Sequence, residues 1–428
     1  MAVTVPAATE QIDYADLYAR WERGNWSAMD IDFTQDRIDW HERFTDEQRR
    51  GALWLYTLFF HGEDSVADNL SPYIDAAPLE EQKYFLATQQ VDEARHAVFF
   101  HRWMHEVVGV GDGSLGDGLR CTQQELTWGH RKLFRRLDRM ADELRRDRSP
   151  LTLARAVTLY HVVVEGTLAQ PGQHMIETSL EGMDLMPGFR EGMRNVAIDE
   201  QRHIAFGVKL LADLYRENPL PTQDAIVDLI REVLQYTLSV PIPPGWDRSY
   251  TESLGYTMED LYEEGARANE ARLRSIGLPL DEIAHFPFPM DITPRERGIR
   301  ALALLRAGLL GRGDGGPVGR DPATVQIFFD LLARNVRGEE IAPGSTIQWD
   351  FPDHEPWYLL IEGPASKRAI QGRVAKPTVR LRLRWDDFGE LVSERAQPYH
   401  LMMRGRMRPW GDPRVLLKRR RLFHRPGG

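Results

Sequence analysis

Apolar residues recur at three- and four-residue intervals from about Thr45 to Leu273, the spacing of helices that each bury one face. The pattern predicts helices over Asp46–Ala76, Leu79–Val110, Cys121–Arg146, Pro150–Leu180, Pro187–Asn218 and Gln223–Thr237, with a shorter one near Met258–Ser275. Proline and glycine separate them, in AAPLEE (76–81), GVGDGSLGDG (109–118) and EGMDLMPG (181–188), residues that punctuate regular structure. The texture then changes. HFPFPMDITP (285–294) is irregular, a helix is predicted over Arg295–Leu310, and GRGDGGPVGRD (311–321) has linker composition. A helix over Ala323–Val336 leads into strand-like STIQWDF, WYLLIEG, TVRLRLRW and PYHLMMRG. In TVRLRLRW the period of two puts Val379, Leu381 and Leu383 on one face. The expected organisation is a helical part over 1–290, a helix and linker over 291–320, and a smaller α+β part over 321–428.

Some charged positions break this pattern where it should be most apolar. VDEARHAVFF (91–100) sets Glu93 and His96 inside an otherwise buried helix. Charge on an apolar face is costly unless something compensates it. Glu-x-x-His occurs three times, at Glu93–His96, Glu200–His203 and Glu282–His285. The first two share a longer string, DEARH and DEQRH, in mid-helix. The third runs into Phe-Pro-Phe-Pro and reads as a loop, so it is rejected. Two lone glutamates stand in apolar company, Glu63 in LFFHGEDSV and Glu165 in YHVVVEGTLA.

Taken singly, each would be a glutamate at the edge of a stripe. Their positions are related, however. The midpoint of Glu63 and Glu93 is Pro78, and that of Glu165 and Glu200 falls at Gly182; both are turns. In an antiparallel hairpin each lone glutamate therefore faces a Glu-x-x-His at its own level. The unit occurs twice, and two such hairpins bring four carboxylates and two imidazoles into one bundle core. That is the ligand set of a carboxylate-bridged dinuclear metal site. Four buried carboxylates repel one another and take up protons unless cations lie among them. Oxygen and imidazole donors suit iron or manganese better than thiolate-seeking metals, and spacing i, i+3 puts both side chains on one helical face.

Composition narrows the setting. No apolar run among the 428 residues approaches a membrane span. The start, MAVTVPAATEQIDYADLYARW, lacks the basic and apolar regions of a secretory signal. A single cysteine, Cys121, excludes an internal disulfide framework and fits a cytoplasmic setting. The formal charge of -10 is uneven: Asp321 to Gly428 carries about +6, leaving roughly -16 for the rest, an asymmetry that suggests two units. The basic end LLKRRRLFHRP (416–426) is read as a solvated tail, with no nucleic-acid partner.

These residues resemble those of the ribonucleotide reductase small subunit and its relatives over the first 290 or so positions. NWSAMDIDFTQDRIDW (25–40) is similar to the opening segment of that superfamily. The resemblance implies a ferritin-like four-helix-bundle core with extra helices, and a hydrogen-bonded chain of Trp26, Asp199 and His96. Phe100 stands where the radical-bearing subunits have tyrosine, which counts against a stable tyrosyl radical. The chain is more similar to the ligand-binding oxidase branch, through GEDSV (62–66), LYHVVVEGTLAQPG (159–172) and RNVAIDEQRHIAFGVKLL (194–211).

That branch implies one metal held by Glu63, Glu93 and His96 and another by Glu165, Glu200 and His203, as a manganese–iron or di-iron centre. It also implies an oxidatively formed ether link between Val66 and Tyr160, a long-chain fatty acid over the metals, and a homodimer. Residues 321–428 resemble a sterol-carrier-protein-type lipid-binding domain. The expected function is a dioxygen-activating oxidase or oxygenase acting on a lipid-like substrate; the alternatives are a reductase small subunit, or a lipid carrier whose metals are structural.

Overall fold

The structure, a computed structural model, describes residues 6–283, 286–312, 316–417 and 422. His285, residues 313–315 of the linker, and all of the basic end but Leu416, Leu417 and Leu422 lie outside the described residues. The chain divides into two compact units. One comprises Met1–Leu229 and Val240–Leu278; the other comprises Ile230–Ser239 and Pro279–Gly428. The helix Pro219–Ser239 contributes to both.

The first unit is the helical bundle. Its four central members are Asp46–Asn69, Glu80–Trp103, the run Pro150–Val157, Thr158–Ala169 and Gln170–Met183, and Pro187–Glu217. The first starts at a capping box: Thr45 Oγ1 accepts from Gln48 N at 3.2 Å, and Gln48 Oε1 accepts from Thr45 N at 2.9 Å. The predicted helix Asp46–Ala76 breaks at Leu70, and Ser71–Ala76 continues as a separate helix. Pro72, in its first turn, cannot donate to the preceding turn. Cys121–Arg146 likewise divides, because Thr127 Oγ1 caps a new helix, Trp128–Arg146, by accepting from His130 N.

The turn before the fourth helix has Asp184 and Met186 in left-handed conformation. Asp36 accepts from the N–H groups of Gly188 and Phe189 at 2.8 and 2.6 Å, satisfying two orphan donors of that helix start. Its glycines admit close neighbours: a Cβ on Gly192 would lie 2.0 Å from the Phe99 ring. Phe189 then packs on Tyr56 and Trp103, with centroids at 4.4 and 4.9 Å. No helix among the described residues is long and apolar enough to cross a membrane.

The second unit is α+β. Its sheet runs in the order β3-β2-β1-β4-β5, with β1 Ser345–Asp350, β2 Trp357–Ile361, β3 Lys367–Gln371, β4 Val379–Leu383 and β5 Met407–Gly411. The β1–β4 pair is parallel and the others are antiparallel. Val379 and Leu383 are buried on one face, as the alternation predicts.

Two assignments differ from expectation. PYHLMMRG, read as a strand, forms the helix Pro398–Met403, and the strand follows it as β5. Pro398 suits a first helical turn, and Leu401 supplies the buried contact. The strand β3 escaped notice because its KRAIQ sequence is polar; it is an edge strand, where charged side chains protect unpaired backbone. The core holds Phe329 stacked on Trp357 at 4.6 Å and on Phe388 at 5.8 Å, beside Trp349.

A candidate dinuclear metal centre

The four bundle helices bring the six predicted side chains together. Glu63 comes from Asp46–Asn69, Glu93 and His96 from Glu80–Trp103, Glu165 from Thr158–Ala169, and Glu200 and His203 from Pro187–Glu217; all are buried. They form two overlapping sets, Glu63, Glu93, His96 and Glu200, and Glu93, Glu165, Glu200 and His203. In each set one donor atom per residue lies within 4.8 Å of the others. Glu93 and Glu200 belong to both. His96 Nδ1 is 3.3 Å from Glu63 Oε2 and 3.6 Å from Glu93 Oε2. His203 Nδ1 is 3.1 Å from Glu93 Oε1 and 3.6 Å from Glu165 Oε1.

Outside these six, the two repeats serve one another. Asp199 Oδ2 lies 3.1 Å from His96 Nε2 and accepts from Trp26 Nε1 at 2.8 Å. Asp92 Oδ2 lies 3.1 Å from His203 Nε2, and Asp92 Oδ1 accepts from Trp21 Nε1 at 2.8 Å. Arg95 and Arg202 each contact both aspartates. With Nε2 held against a carboxylate, each ring turns its Nδ1 toward the cluster, the arrangement that orients a ligating histidine.

Asp199 and Trp26 are the pair that the family resemblance implies. Trp21, Asp92 and the two arginines are not among the expected residues, although DEARH repeats the Asp and Arg of DEQRH. Treating the repeat as symmetric would have found Asp92 and Arg95.

The third helix departs from α geometry. Thr158–Ala169 is a π-helix, a wider turn with i→i+5 bonding that is frequent at functional sites. Tyr160 and Glu165, five residues apart, consequently reach one partner: Gln89 Nε2 donates to Tyr160 Oη at 3.0 Å and to Glu165 Oε1 at 2.9 Å. The Tyr160 hydroxyl in turn donates to Glu93 Oε1 at 2.6 Å. Val66 is buried on the helix that carries Glu63. Gln89 was not anticipated. It lies one turn before Glu93, where the other repeat has Val196, so the internal symmetry gave no signal for it.

The donor set calls for cations. Burial pushes Glu63 well above the usual carboxylate range, and burial with the nearby Glu200 charge pushes Glu165 up to about 8. Burial and the Glu93 charge also raise Glu200. Burial alone would raise Glu93, but the charge of His203 and its hydrogen bond hold it well below normal. Both histidines are held well above theirs despite burial, His96 first by Asp199 and His203 first by Glu93. Without metal the cluster balances its charge with protons. Two buried oxygens in it, Glu165 Oε2 and Glu200 Oε2, have no hydrogen-bond partner among the described residues. Buried polar atoms left bare in this way call for a further partner, and two divalent ions among four carboxylates satisfy both charge and lone pairs.

Comparison with known proteins gives the same architecture. Residues 7–240 match the family described as ribonucleotide reductase, small chain, and residues 335–424 match the SCP-2 sterol transfer family. Among solved structures, the R2-like ligand-binding oxidase from Sulfolobus acidocaldarius is 25% identical over 69% of this chain and 99% of that one, with a TM-score of 0.54. Variants of an R2-like ligand-binding oxidase with anaerobically and aerobically reconstituted Mn/Fe cofactor are each 26% identical, over 62% of this chain and 93% of theirs, with TM-scores of 0.54.

Proposed function

Since the chain belongs to the ribonucleotide reductase, small chain, family, we propose that it is an oxidoreductase with a carboxylate-bridged manganese–iron or di-iron centre that oxidises a lipid-like substrate with dioxygen. The observation that carries this reading is the pair of overlapping four-residue sets sharing Glu93 and Glu200. In this reading Glu63, Glu93 and His96 hold one ion, Glu165, Glu200 and His203 hold the other, and Glu93 and Glu200 face both. The pair, when bound, supplies the electrons that reduce dioxygen and the oxidising power to attack a C–H bond.

The chain's own residues supply orientation and proton control. Asp199 and Asp92 hold His96 and His203 in one tautomer through Nε2. Gln89 and Glu93 hold the Tyr160 hydroxyl beside the donor cluster. That position supports Tyr160 as the partner of Val66 in an ether link, which forms with loss of the phenolic hydrogen and one valine hydrogen, both electrons passing to dioxygen. Phe100, buried four residues after His96, offers no hydroxyl to carry a radical, which favours the oxidase reading over the reductase subunit.

The organic ligand is assigned as a long-chain fatty acid, and residues 321–428 as a lipid-binding domain. A homodimer is supported by an exposed apolar stripe on Glu80–Trp103. Tyr84, Ala87, Val91, Ala94 and Val98 follow one another at alternating three- and four-residue steps, the seam by which two helices pack. The test is diffraction with anomalous data at the manganese and iron edges, paired with dioxygen uptake by the metal-loaded full chain. Two peaks among the six side chains, with lipid-stimulated uptake, are expected. No metal at Glu93 and Glu200 would end the oxidase reading.

A further inference from the structure

The second unit contains a cavity of about 760 Å³, within the range of small-molecule sites. It borders the aromatic core over the sheet, with which it shares Leu304 and Ala333. Helix Pro322–Asn335 buries Val325, Phe328 and Phe329 in that core. A different face of the same helix, Ile327, Asp330, Leu331 and Arg334, lines the cavity. Those positions are i, i+3, i+4 and i+7, one stripe of a helix. Helix Pro294–Arg306 presents Arg297, Arg300, Ala301 and Leu304, at the same spacing. The edge strand β3 closes the site with Lys367, Arg368, Ala369 and Ile370. The lining residues of both helices lie outside the segment that matches the SCP-2 family, so that segment alone cannot build this site.

We propose that this cavity binds a single-chain lipid with a carboxylate head, its chain lying over Ala301, Leu304, Ile327 and Leu331 and its head meeting Arg334 and Lys367. Five cationic side chains line it against two carboxylates, Asp291 and Asp330. Several of the five are engaged: Arg300 donates to Glu296 at 2.8 Å and Arg368 to Glu362 at 2.9 Å. The half-buried Arg334 guanidinium makes no ion pair or hydrogen bond among the described residues.

Lys367 Nζ donates to the carbonyls of Arg334 and Val336 at 3.2 and 2.8 Å, and an ammonium has a third hydrogen to give. Burial, with the Arg231 charge, pulls Lys367 down to about 8, the mark of a cation that gains from an incoming anion. A neutral sterol offers these cations no charge, whereas a fatty acid supplies chain and charge together. The inference rests on the lipid-binding reading of this unit and is independent of the metal centre.

The test is a titration of the full chain with the fluorescent fatty acid parinaric acid, and competition by palmitate, lysophosphatidate and hexadecanol. With the metal centre taking one acyl ligand, two equivalents are expected on the native chain and one on Leu331→Trp, whose indole obstructs the path of the acyl chain. Two equivalents on a folded Leu331→Trp would overturn the assignment. One equivalent on the native chain, abolished by Leu331→Trp, would keep the cavity and reject the fatty acid at the metals.

Arg334→Gln with Lys367→Met leaves the cavity open. It should cost palmitate about tenfold in affinity, the worth of a charge-assisted hydrogen bond or two, and leave hexadecanol unchanged. Equal losses for both, or tighter binding of lysophosphatidate than palmitate by the native chain, would refute the carboxylate head.

Discussion

The Asp92 carboxylate lies 3.1 Å from Nε2 of His203, a residue 111 positions away in the other copy of the Asp-Glu-x-Arg-His string. Asp199 returns the relation to His96. Each repeat therefore orients the other's imidazole, and neither half of the site is complete alone. Removing Asp92 or Asp199 by alanine should lower metal affinity about 10- to 100-fold, the usual effect of losing such an outer partner. Each variant should weaken chiefly the ion beside the histidine it orients. Competitive chelator titration with metal analysis checks this; unchanged affinity in both variants would show that the imidazoles need no orienting group.

Tyr160 stands against Glu93 through a 2.6 Å hydrogen bond. After metal loading in air, the intact mass should fall by two hydrogens, and peptide mapping should join the Val66 and Tyr160 peptides. Tyr160→Phe should keep the metal-free mass. The same loss of hydrogens in Tyr160→Phe would place the oxidation elsewhere.

Two histidines outside the cluster give the fold an acid limit. Burial pulls His130 down to about 3 and His61 down to about 4. In the unfolded chain both take a proton near the ordinary 6.5, so their contribution is present above that value and is lost as pH falls toward 4. The loss should approach about 1.4 kcal/mol per pH unit for each group. Denaturant unfolding between pH 7 and pH 4 measures it. His130→Gln should flatten the dependence, and an unchanged slope in that variant would show that this histidine does not set the acid limit.

The stripe Tyr84, Ala87, Val91, Ala94 and Val98 is open along its length. The native chain should scatter as the proposed homodimer, and Val91→Asp, which puts like charges on both helices of a self-paired seam, should scatter as a monomer. A dimer that persists would locate its interface on another surface.

Gly207 and His161 set how closely two bundle helices meet. A Cβ on Gly207 would lie 2.2 Å from that of His161, whose Nε2 is 3.2 Å from Gln89 Oε1. Gly207→Ala should cost about 1 to 3 kcal/mol, as overpacking does, and should disturb Tyr160 through Gln89. Thermal unfolding gives the first effect. A native melting temperature would mean that the helices can separate freely at this point.

Much of this was legible because burial writes itself into spacing. Glu63, Glu93, Glu165 and Glu200 stood out as charges on apolar stripes, and Pro78 gave one hairpin level; the other turn falls at Asp184–Met186, just beyond Gly182, which stays in the helix Gln170–Met183. Helix ends were less legible. Leu70 ends a helix because of a proline two residues later, and Thr127 starts one within an unbroken apolar pattern. The strand β3 carries Lys and Arg where a central strand would carry valine, so its identity depends on being at an edge.

By itself the amino-acid order determined the bundle, the repeated carboxylate–histidine unit and the change of texture beyond residue 290, because these follow from local periodicity and from the cost of burying charge. Only the tertiary structure decided that Asp92 serves His203 and Asp199 serves His96, and that Gln89 joins Tyr160 to Glu165. It alone showed that Pro294–Arg306 and Pro322–Asn335 enclose a cavity. Such pairings depend on helix register, on a π-helical stretch and on the facing of distant segments, and those emerge when many weak contacts are satisfied together.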